Sequence, residues 1–275
     1  MQFTRMFAAS ALAACFLIST SGVHGQFGPD TPQQSLKGTP VPADVGAKGC
    51  GLPPLSLAGI GLYKYTAPWT ASNWANAGST IPWRYDHVNQ VGHKVTLRLD
   101  SSGAPELQAT QGTVPHTSGL WQVDVTMPQH MREGVVVAPL WLYDSASKDE
   151  IDFEIVAARQ LTVSLHSWPG GVHMRQTVAV IPNVDFSGRR LCLGINLRPA
   201  AGKIEMRANG QVIYTWDRSK MNFFVSHPVR PWIELWAANP GNTGLSQWTG
   251  KFADFKAGEA MTLAVNGFRY TATAP

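Results

Sequence analysis

Residues 150–156 carry acidic side chains at every second position. Glu150, Asp152 and Glu154 alternate there with large apolar residues. Side chains of a β-strand alternate between its two faces, so the three acids are predicted to share one face while the apolar residues enter a core. With a rise of ~3.3 Å per residue, successive acids lie about 7 Å apart at Cα. No basic residue stands among them, so a purely structural role would be served better by Thr or Gln.

Two carboxyl groups that face one substrate can hydrolyse a glycosidic bond. In the retaining mechanism they stand about 5–5.5 Å apart, one as the nucleophile and the other as the acid/base. The two glutamates are long enough to lean together across Asp152, whose negative charge would raise the pKa of the acid/base and keep it protonated. The alternatives are a solvated strand face and a calcium site, although calcium loops usually alternate acids with Gly and Asn.

Short β-type segments separated by turn residues dominate the chain from about residue 56. Gly119–Met127 alternates apolar and polar residues, and Val135–Tyr143 is apolar throughout, as expected of a strand buried on both faces. Asn209-Gly210 between two such segments is typical of a tight hairpin. Only Trp216–Phe224 suggests a turn of helix. The sequence therefore predicts an antiparallel β-sandwich or barrel.

The N-terminus is typical of an export signal. Met1–Arg5 is positively charged, and Met6–Ile18 is apolar but too short to span a bilayer. Val23 and Gly25 fit the −3 and −1 positions of a cleavage site. We therefore expect residues 1–25 to be a signal peptide and the protein to be secreted or periplasmic.

A second interpretation of the N-terminus is a lipid anchor. Leu12–Cys15 resembles a lipobox, which would place the lipid on Cys15, but the apolar run continues beyond it. Residues 26–55 are rich in Pro and Gly and poor in aromatic residues. This composition predicts a linker or a strap across the domain surface.

The composition narrows the class of partner. Lys and Arg outnumber Asp and Glu by 22 to 18 and form no run, so we expect no nucleic-acid partner. No other segment approaches transmembrane length. The ten Trp residues suit both cores and surfaces that stack on sugars. Cys50 and Cys192 remain after signal removal, and either a disulfide or two buried thiols fits an exported protein.

The acidic segment resembles a known signature. Asp149–Glu154 resembles the motif of glycoside hydrolase family 16, the family of lichenases, laminarinases, agarases, carrageenases and xyloglucan endotransglycosylases, in the unbulged form of lichenases and the plant xyloglucan enzymes. The resemblance extends over roughly residues 60–272. Further matching segments are Gly119–Val125, Gly134–Tyr143, Asn209–Ile213, Pro231–Trp236 and Asn266–Tyr270.

This resemblance implies a fold and roles for the three acids. The fold would be an all-β, antiparallel jelly-roll sandwich of the concanavalin A type, with a concave cleft for a glycan, formed by residues 56–275 as one catalytic domain. Glu150 would be the nucleophile, Glu154 the acid/base, and Asp152 would orient and tune them.

The resemblance also implies substrate-binding positions. Glu106 matches an acid that hydrogen-bonds sugar hydroxyls in lichenases. His166 and Trp168 stand where those enzymes place an Asn and a stacking Tyr, and Trp236 matches a Trp near the scissile bond. Trp141 is included as a cleft residue, with the core as its alternative. Three other Trp residues are assigned to the core: Trp121, Trp216 and Trp232.

Departures from the family pattern leave the substrate open. Lys148 replaces a Trp of lichenases, and Ile155–Ala157 replaces their Phe-Leu-Gly. Asn266 stands where an Asp often supports calcium, which weakens the case for a structural calcium ion; we expect that no cofactor is required and that no metal takes part in catalysis.

We expect a monomeric, secreted, endo-acting β-glycanase that acts on a β-glucan or an exopolysaccharide by double displacement. The alternatives are a transglycosylase on the same substrates and, in another class, a non-catalytic glycan-binding module.

Overall fold

The computed structural model describes residues 49–57, 69–109, 114–157 and 159–273. The predicted signal peptide, residues 1–25, lies outside these ranges, as does most of the predicted Pro/Gly-rich segment. The strands are β1 (Trp69–Ala71), β2 (Val88–Val91), β3 (Lys94–Asp100), β4 (Glu106–Ala109), β5 (Gly119–Thr126), β6 (Val135–Tyr143), β7 (Glu150–Val156), β8 (Gln160–Ser167), β9 (Met174–Pro182), β10 (Arg190–Arg198), β11 (Lys203–Ala208), β12 (Gln211–Asp217), β13 (Arg230–Ala237) and β14 (Ala260–Thr271). Helix α1 spans Thr243–Thr249, and 3₁₀ turns cover Tyr85–His87, Pro169–Gly171 and Arg218–Lys220.

The strands form two antiparallel sheets of seven strands each. The first has the order β1-β4-β13-β6-β7-β8-β9, and the second has the order β12-β11-β10-β5-β14-β3-β2. Sequential neighbours such as β6, β7 and β8 pair directly, whereas β4 pairs with β13 across more than 120 residues of sequence. The structure therefore confirms the all-β jelly-roll sandwich.

The core lies between the sheets and is built from one face of each strand. From β7 it receives Ile151, Phe153 and Ile155, and from β5 it receives Trp121 and Val123, all at most 1% exposed. Burying a side chain of this size stabilises the fold by roughly 1.5–3 kcal/mol. Because alternate residues point the other way, the same packing fixes which side chains face out of each sheet.

Local sequence signals explain the turns and the helix. Asn209 and Gly210, between β11 and β12, have φ values of 50° and 80°, as a tight hairpin requires. Helix α1 begins after Asn242, whose side chain accepts a hydrogen bond from the backbone of Leu245. The hairpin was predicted from sequence, and the expected helical turn is present at Arg218–Lys220. Helix α1 was not predicted.

Residues 49–57 run along the outer face of the second sheet. Cys50 forms a disulfide with Cys192 of β10, which resolves the alternatives that the sequence leaves open. The carbonyl of Pro53 accepts a hydrogen bond from Phe268 of β14, and Leu55 is 3% exposed within the core. No helix in the described ranges is long and apolar enough to cross a membrane.

Candidate active site

The acidic ladder, defined as Glu150, Asp152 and Glu154, lies on β7 and faces away from the core. The apolar residues between its members have 0% exposure, which confirms the predicted alternation. Glu150 and Glu154 are partly exposed, whereas Asp152 is only 3% exposed. We call this side of the first sheet the open face.

Strand pairing places a defined set of side chains beside the ladder. On β6, Tyr143 and Trp141 are paired with the first two acids. On β8, His166 and Ser164 are paired with the same two acids. The Ser164 hydroxyl donates to Oε2 of Glu154 at 3.3 Å. The ladder is therefore flanked by aromatic rings on one side and by imidazole and hydroxyl groups on the other.

The three acids hold their protons with different strengths. Burial raises the pKa of Glu150 to about 7, and a hydrogen bond with Asp152 opposes part of that rise. Burial raises the pKa of Glu154 to about 8, and the charge of Glu150 adds to it. The pKa of Asp152 is raised well above its ordinary value by burial, by the charges of both glutamates and by its hydrogen bond to Glu150. Both glutamates therefore keep their protons to a higher pH than an exposed acid would, and the raised pKa of Asp152 favours its neutral form, which can donate to Glu150.

These pKa shifts change the electrostatic role that the sequence suggests for Asp152. The sequence interpretation gives Asp152 a negative charge that raises the pKa of the acid/base. In the structure the charge that acts on Glu154 is that of Glu150, because the raised pKa of Asp152 favours its neutral form. Asp152 then acts on Glu150 through a hydrogen bond rather than on Glu154 through its charge.

His166 lies against the first two acids of the ladder. Its Nε2 atom is 3.8 Å from Oε1 of Glu150 and 3.8 Å from Oδ2 of Asp152. Its Nδ1 atom is 3.1 Å from Nε2 of His173. Burial, followed by the charges of His173 and Arg175, lowers the pKa of His166 to about 3. The imidazole is therefore neutral wherever the ladder functions.

Trp168 forms a wall beside His166 rather than an open stacking platform. Its ring is stacked on His173 at 4.2 Å with an interplanar angle of 12°. The ammonium group of Lys148 lies 5.8 Å from the centroid of the same ring. His173 thus covers one face of Trp168, the residue that the family resemblance assigns to sugar stacking.

A second carboxyl pair faces the ladder across β6. Glu106 of β4 is paired with Glu234 of β13, and the Ser72 hydroxyl donates to Glu106. Burial raises the pKa of Glu106 to about 7. The pKa of Glu234 is raised well above its ordinary value by burial and by the charge and hydrogen bond of Glu106. The raised pKa values favour a protonated carboxyl group in this pair, which can then present both a donor and an acceptor to the open face.

Glu234 was missed in the sequence. The signal was present in β13, where Trp232, Glu234 and Trp236 alternate with buried apolar residues. Its partner Glu106 lies 128 positions earlier in the printed sequence, so no local pattern brings the two together.

The tryptophans of the open face form two groups. Trp141 and Trp232 lie with their ring centroids 4.8 Å apart, so the assignment of Trp232 to the core was wrong. It alternates with core residues on β13 and therefore points to the other side. Trp236 lies 6.4 Å from Trp248 of α1. Trp121 and Trp216, at 1% and 2% exposure, are core residues as predicted.

The position where relatives often support calcium has a different chemistry here. The Asn266 amide donates to Asp124 at 3.1 Å and to the Thr126 hydroxyl at 3.0 Å. The guanidinium of Arg190 forms two hydrogen bonds to Asp124, at 2.7 and 2.9 Å. Calcium requires six to eight oxygen ligands, and these donors already satisfy the carboxylate, so this group of residues does not fit the ion.

Comparisons with known proteins find a family match and solved structures of the same fold. Residues 75–187 match the family model described as Glycosyl hydrolases family 16. A comparison with curated proteins finds no match. Among solved structures, the Bacillus licheniformis beta-glucanase is 18% identical with a TM-score of 0.60, covering 78% of this chain and 97% of that chain.

Two further structures share the fold at similar identity. The catalytic domain of an endo-1,3-beta-glucanase (laminarinase) from Thermotoga petrophila is 14% identical with a TM-score of 0.54, covering 75% of this chain and 92% of that one. A Bacteroides ovatus mixed linkage glucan enzyme, solved with a G4G4G3G product, is 16% identical with a TM-score of 0.56, covering 74% of this chain and 94% of that one.

Proposed function

We propose that this chain is a member of glycosyl hydrolases family 16, whose model matches residues 75–187, and that it is a retaining endo-acting β-glycanase. The observation that carries the proposal is the ladder itself, in which two glutamates flank a buried aspartate on one strand face. Glu150 has a pKa of about 7 and Glu154 of about 8. In the pH range between them, one carboxylate is available for attack while the other still holds a proton.

In the proposed first step, Glu150 attacks the anomeric carbon and Glu154 donates its proton to the departing glycosidic oxygen. A covalent glycosyl-enzyme forms, and the leaving chain departs with that proton. In the second step Glu154, now ionised, removes a proton from water, and the resulting hydroxide attacks the anomeric carbon. Glu150 leaves as a carboxylate, so the configuration is retained over two inversions.

Asp152 supports this cycle through its hydrogen bond to Glu150. The donor lowers the pKa of the nucleophile, which keeps a larger fraction of it ionised before attack. When Glu150 becomes an ester, the same proton stays on the buried Asp152, so no new charge is created beside the intermediate. His166, which is neutral, restricts the position of both carboxyl groups from the β8 side.

The proposed substrate is an extracellular β-glucan or exopolysaccharide. The open face carries Trp141, Trp232 and Trp236 on adjacent strands, and flat indole rings match the apolar faces of β-linked pyranoses. The Glu106–Glu234 pair can accept from one sugar hydroxyl and donate to another. We propose that the mature protein acts outside the cytoplasm, in agreement with its disulfide.

The direct test combines a substrate panel with product stereochemistry. Purified protein is incubated with β-glucans, galactans and bacterial exopolysaccharides, and released reducing ends are measured. For the substrate that reacts, early NMR spectra should show the β-anomer before mutarotation. Early accumulation of the α-anomer would overturn the retaining mechanism, and binding without any release of ends would support a glycan-binding module instead.

A further inference from the structure

The two acids nearest His166 form a cluster suited to a metal ion. Glu150, Asp152 and His166 each offer one ligand atom, and these atoms lie within 4.8 Å of one another. Glu150 and His166 are directly paired on β7 and β8, and Asp152 is two residues further along β7, so the strands hold their spacing. The catalytic scheme uses the two acids, but it gives no binding partner to the Nε2 atom of His166 that faces them.

The His166 ring is held in position by a contact on its side away from the two acids. Nδ1 of His166 contacts Nε2 of His173 at 3.1 Å, and His173 is stacked on Trp168. Within the described ranges, Nε2 of His166 has no hydrogen bond, and its nearest acidic atoms are 3.8 Å away. A histidine that ligates a metal characteristically uses its other nitrogen in this way, because the outer contact fixes the ring and its tautomer.

Asp152 gives an independent observation. It is 3% exposed, and its Oδ1 atom is buried without a hydrogen-bond partner in the described residues. A buried carboxyl oxygen without a hydrogen-bond partner destabilises the fold. The other oxygen, Oδ2, lies 3.8 Å from Nε2 of His166, so a cation bound by both oxygens of Asp152 would give Oδ1 a partner, and the Asp152 proton would be released to solvent.

The distances between the ligand atoms favour a small ion that accepts both nitrogen and oxygen ligands. A tetrahedral Zn²⁺ with ligands about 2.0–2.1 Å away needs ligand atoms about 3.4 Å apart. The nitrogen-to-oxygen distances of 3.8 Å exceed this by a few tenths of an ångström, within the reach of a small side-chain rotation. Calcium and magnesium prefer oxygen ligands alone, whereas imidazole with carboxylate suits zinc.

We propose that Glu150, Asp152 and His166 bind Zn²⁺ and that the bound ion reversibly inhibits the enzyme by occupying the nucleophile. With Asp152 ionised, two carboxylates, a neutral imidazole and a divalent cation sum to zero charge, so the buried site carries no net charge when Zn²⁺ is bound. The inhibition, but not the binding, rests on the function proposed above. Water would complete the coordination at the open face.

Calorimetric titration of the full chain with ZnCl₂ tests the binding without any substrate. We expect one site per chain, and no heat from CaCl₂ or MgCl₂ at the same concentrations. Glu150→Gln and His166→Gln should each raise the dissociation constant at least about tenfold, and His173→Phe should raise it roughly 10–100-fold by releasing the ring. Thermal unfolding without metal confirms that each variant is folded.

His227→Gln is the matched control, because the Nδ1 atom of His227 contacts the Asp149 carboxylate at 2.8 Å outside the proposed trio. Its zinc affinity should equal that of the parent. Unchanged affinity in Glu150→Gln or His166→Gln, or loss of binding in His227→Gln alone, would overturn the site.

The inhibition of turnover is tested separately from the binding of zinc. Zn²⁺ should suppress turnover of the parent at the concentrations that saturate the calorimetric site, and EDTA should restore it. Activity that persists with the site saturated would overturn the inhibition. Zinc binding in a protein that cleaves no glycan would leave the site standing while the proposed function fails.

Discussion

The two faces of the sandwich each bury an aspartate in the middle of a strand, and they treat it differently. Asp124 on β5 is 1% exposed and Asp152 on β7 is 3% exposed. Asp124 accepts hydrogen bonds from Arg190, Asn266 and the backbone of Cys50. Asp152 has two glutamates as its neighbours, and its Oδ1 atom has no hydrogen-bond partner among the residues that the structure describes.

The difference separates a structural carboxylate from a reactive one. At Asp124 an opposite charge and several donors compensate the burial, so the carboxylate joins β5, β10, β14 and the disulfide-linked segment around Cys50. On the open face burial raises the pKa of every member of the ladder, and like charges add to the rise at Asp152 and Glu154. A protein tolerates such an uncompensated arrangement where the shifted pKa values serve chemistry.

The largest effect expected is the loss of activity when either glutamate becomes neutral. Glu150→Gln and Glu154→Gln should each lower kcat by about 10²–10⁴-fold or more, because one removes the nucleophile and the other the proton donor. The fold should survive, since the open face loses repulsion. Initial rates and thermal unfolding check both. A variant that retains more than a few per cent of activity would show that its residue has another role.

The next largest effect is on stability, and it compares the same substitution at Asp124 and at Asp152. Asp124→Asn should lower the free energy of unfolding by about 1–3 kcal/mol, because the amide cannot accept from all the donors that surround it. Asp152→Asn should leave stability unchanged or raise it. Denaturant titrations of the two variants give the comparison. Equal losses of stability would mean that the two aspartates are equivalent.

A smaller effect is the pH dependence of stability that the ladder creates. The pKa of Glu154 is raised by folding, so the stability linked to its protonation is present below its ordinary value of 4.5 and is lost as pH rises through about 8. Glu154→Gln should remove this loss. The difference in Tm between variant and parent should therefore grow from pH 5 to pH 9. A constant difference would show that Glu154 is not raised.

The smallest effect concerns Asp152 and the alkaline limb of the rate profile. Asp152 is neutral, so Asp152→Asn replaces one hydrogen-bond donor by another without removing a charge. The alkaline limb of kcat/KM, which reports the proton of Glu154, should stay where it is while kcat falls modestly. A pH series beside the parent measures this. A limb displaced to lower pH would show that Asp152 carries a charge after all.

The sequence predicted the features that depend only on residues close together in the chain. The alternation around Phe153 located β7 and its reactive face, and Asn209-Gly210 located a hairpin. Glu234 and Trp232 were missed or misassigned because their surroundings depend on β4 and β13 meeting across the sheet. The pairing of Cys50 with Cys192, 142 residues apart, was left open for the same reason.

Roles that depend on protonation were the hardest to predict. Asp152 was identified as a site residue from its spacing, but its neutral state depends on burial and on both flanking charges. The contact between His166 and His173 depends on the turn that joins β8 to β9, which the sequence pattern does not specify. The roles of Glu106, Trp141, His166, Trp168 and Trp236 in substrate binding remain predictions.

Azide rescue of the two truncated glutamates tests the central claim most directly. With an activated aryl β-glycoside, Glu150→Ala has no nucleophile, so azide should attack once and give a glycosyl azide of inverted configuration. Glu154→Ala still forms the glycosyl-enzyme, so azide should open it and give the retained configuration. NMR of the two products assigns the stereochemistry. The account predicts inversion for Glu150→Ala and retention for Glu154→Ala. The opposite pairing would exchange the nucleophile and the acid/base. If azide rescued neither variant, the double-displacement mechanism would be contradicted.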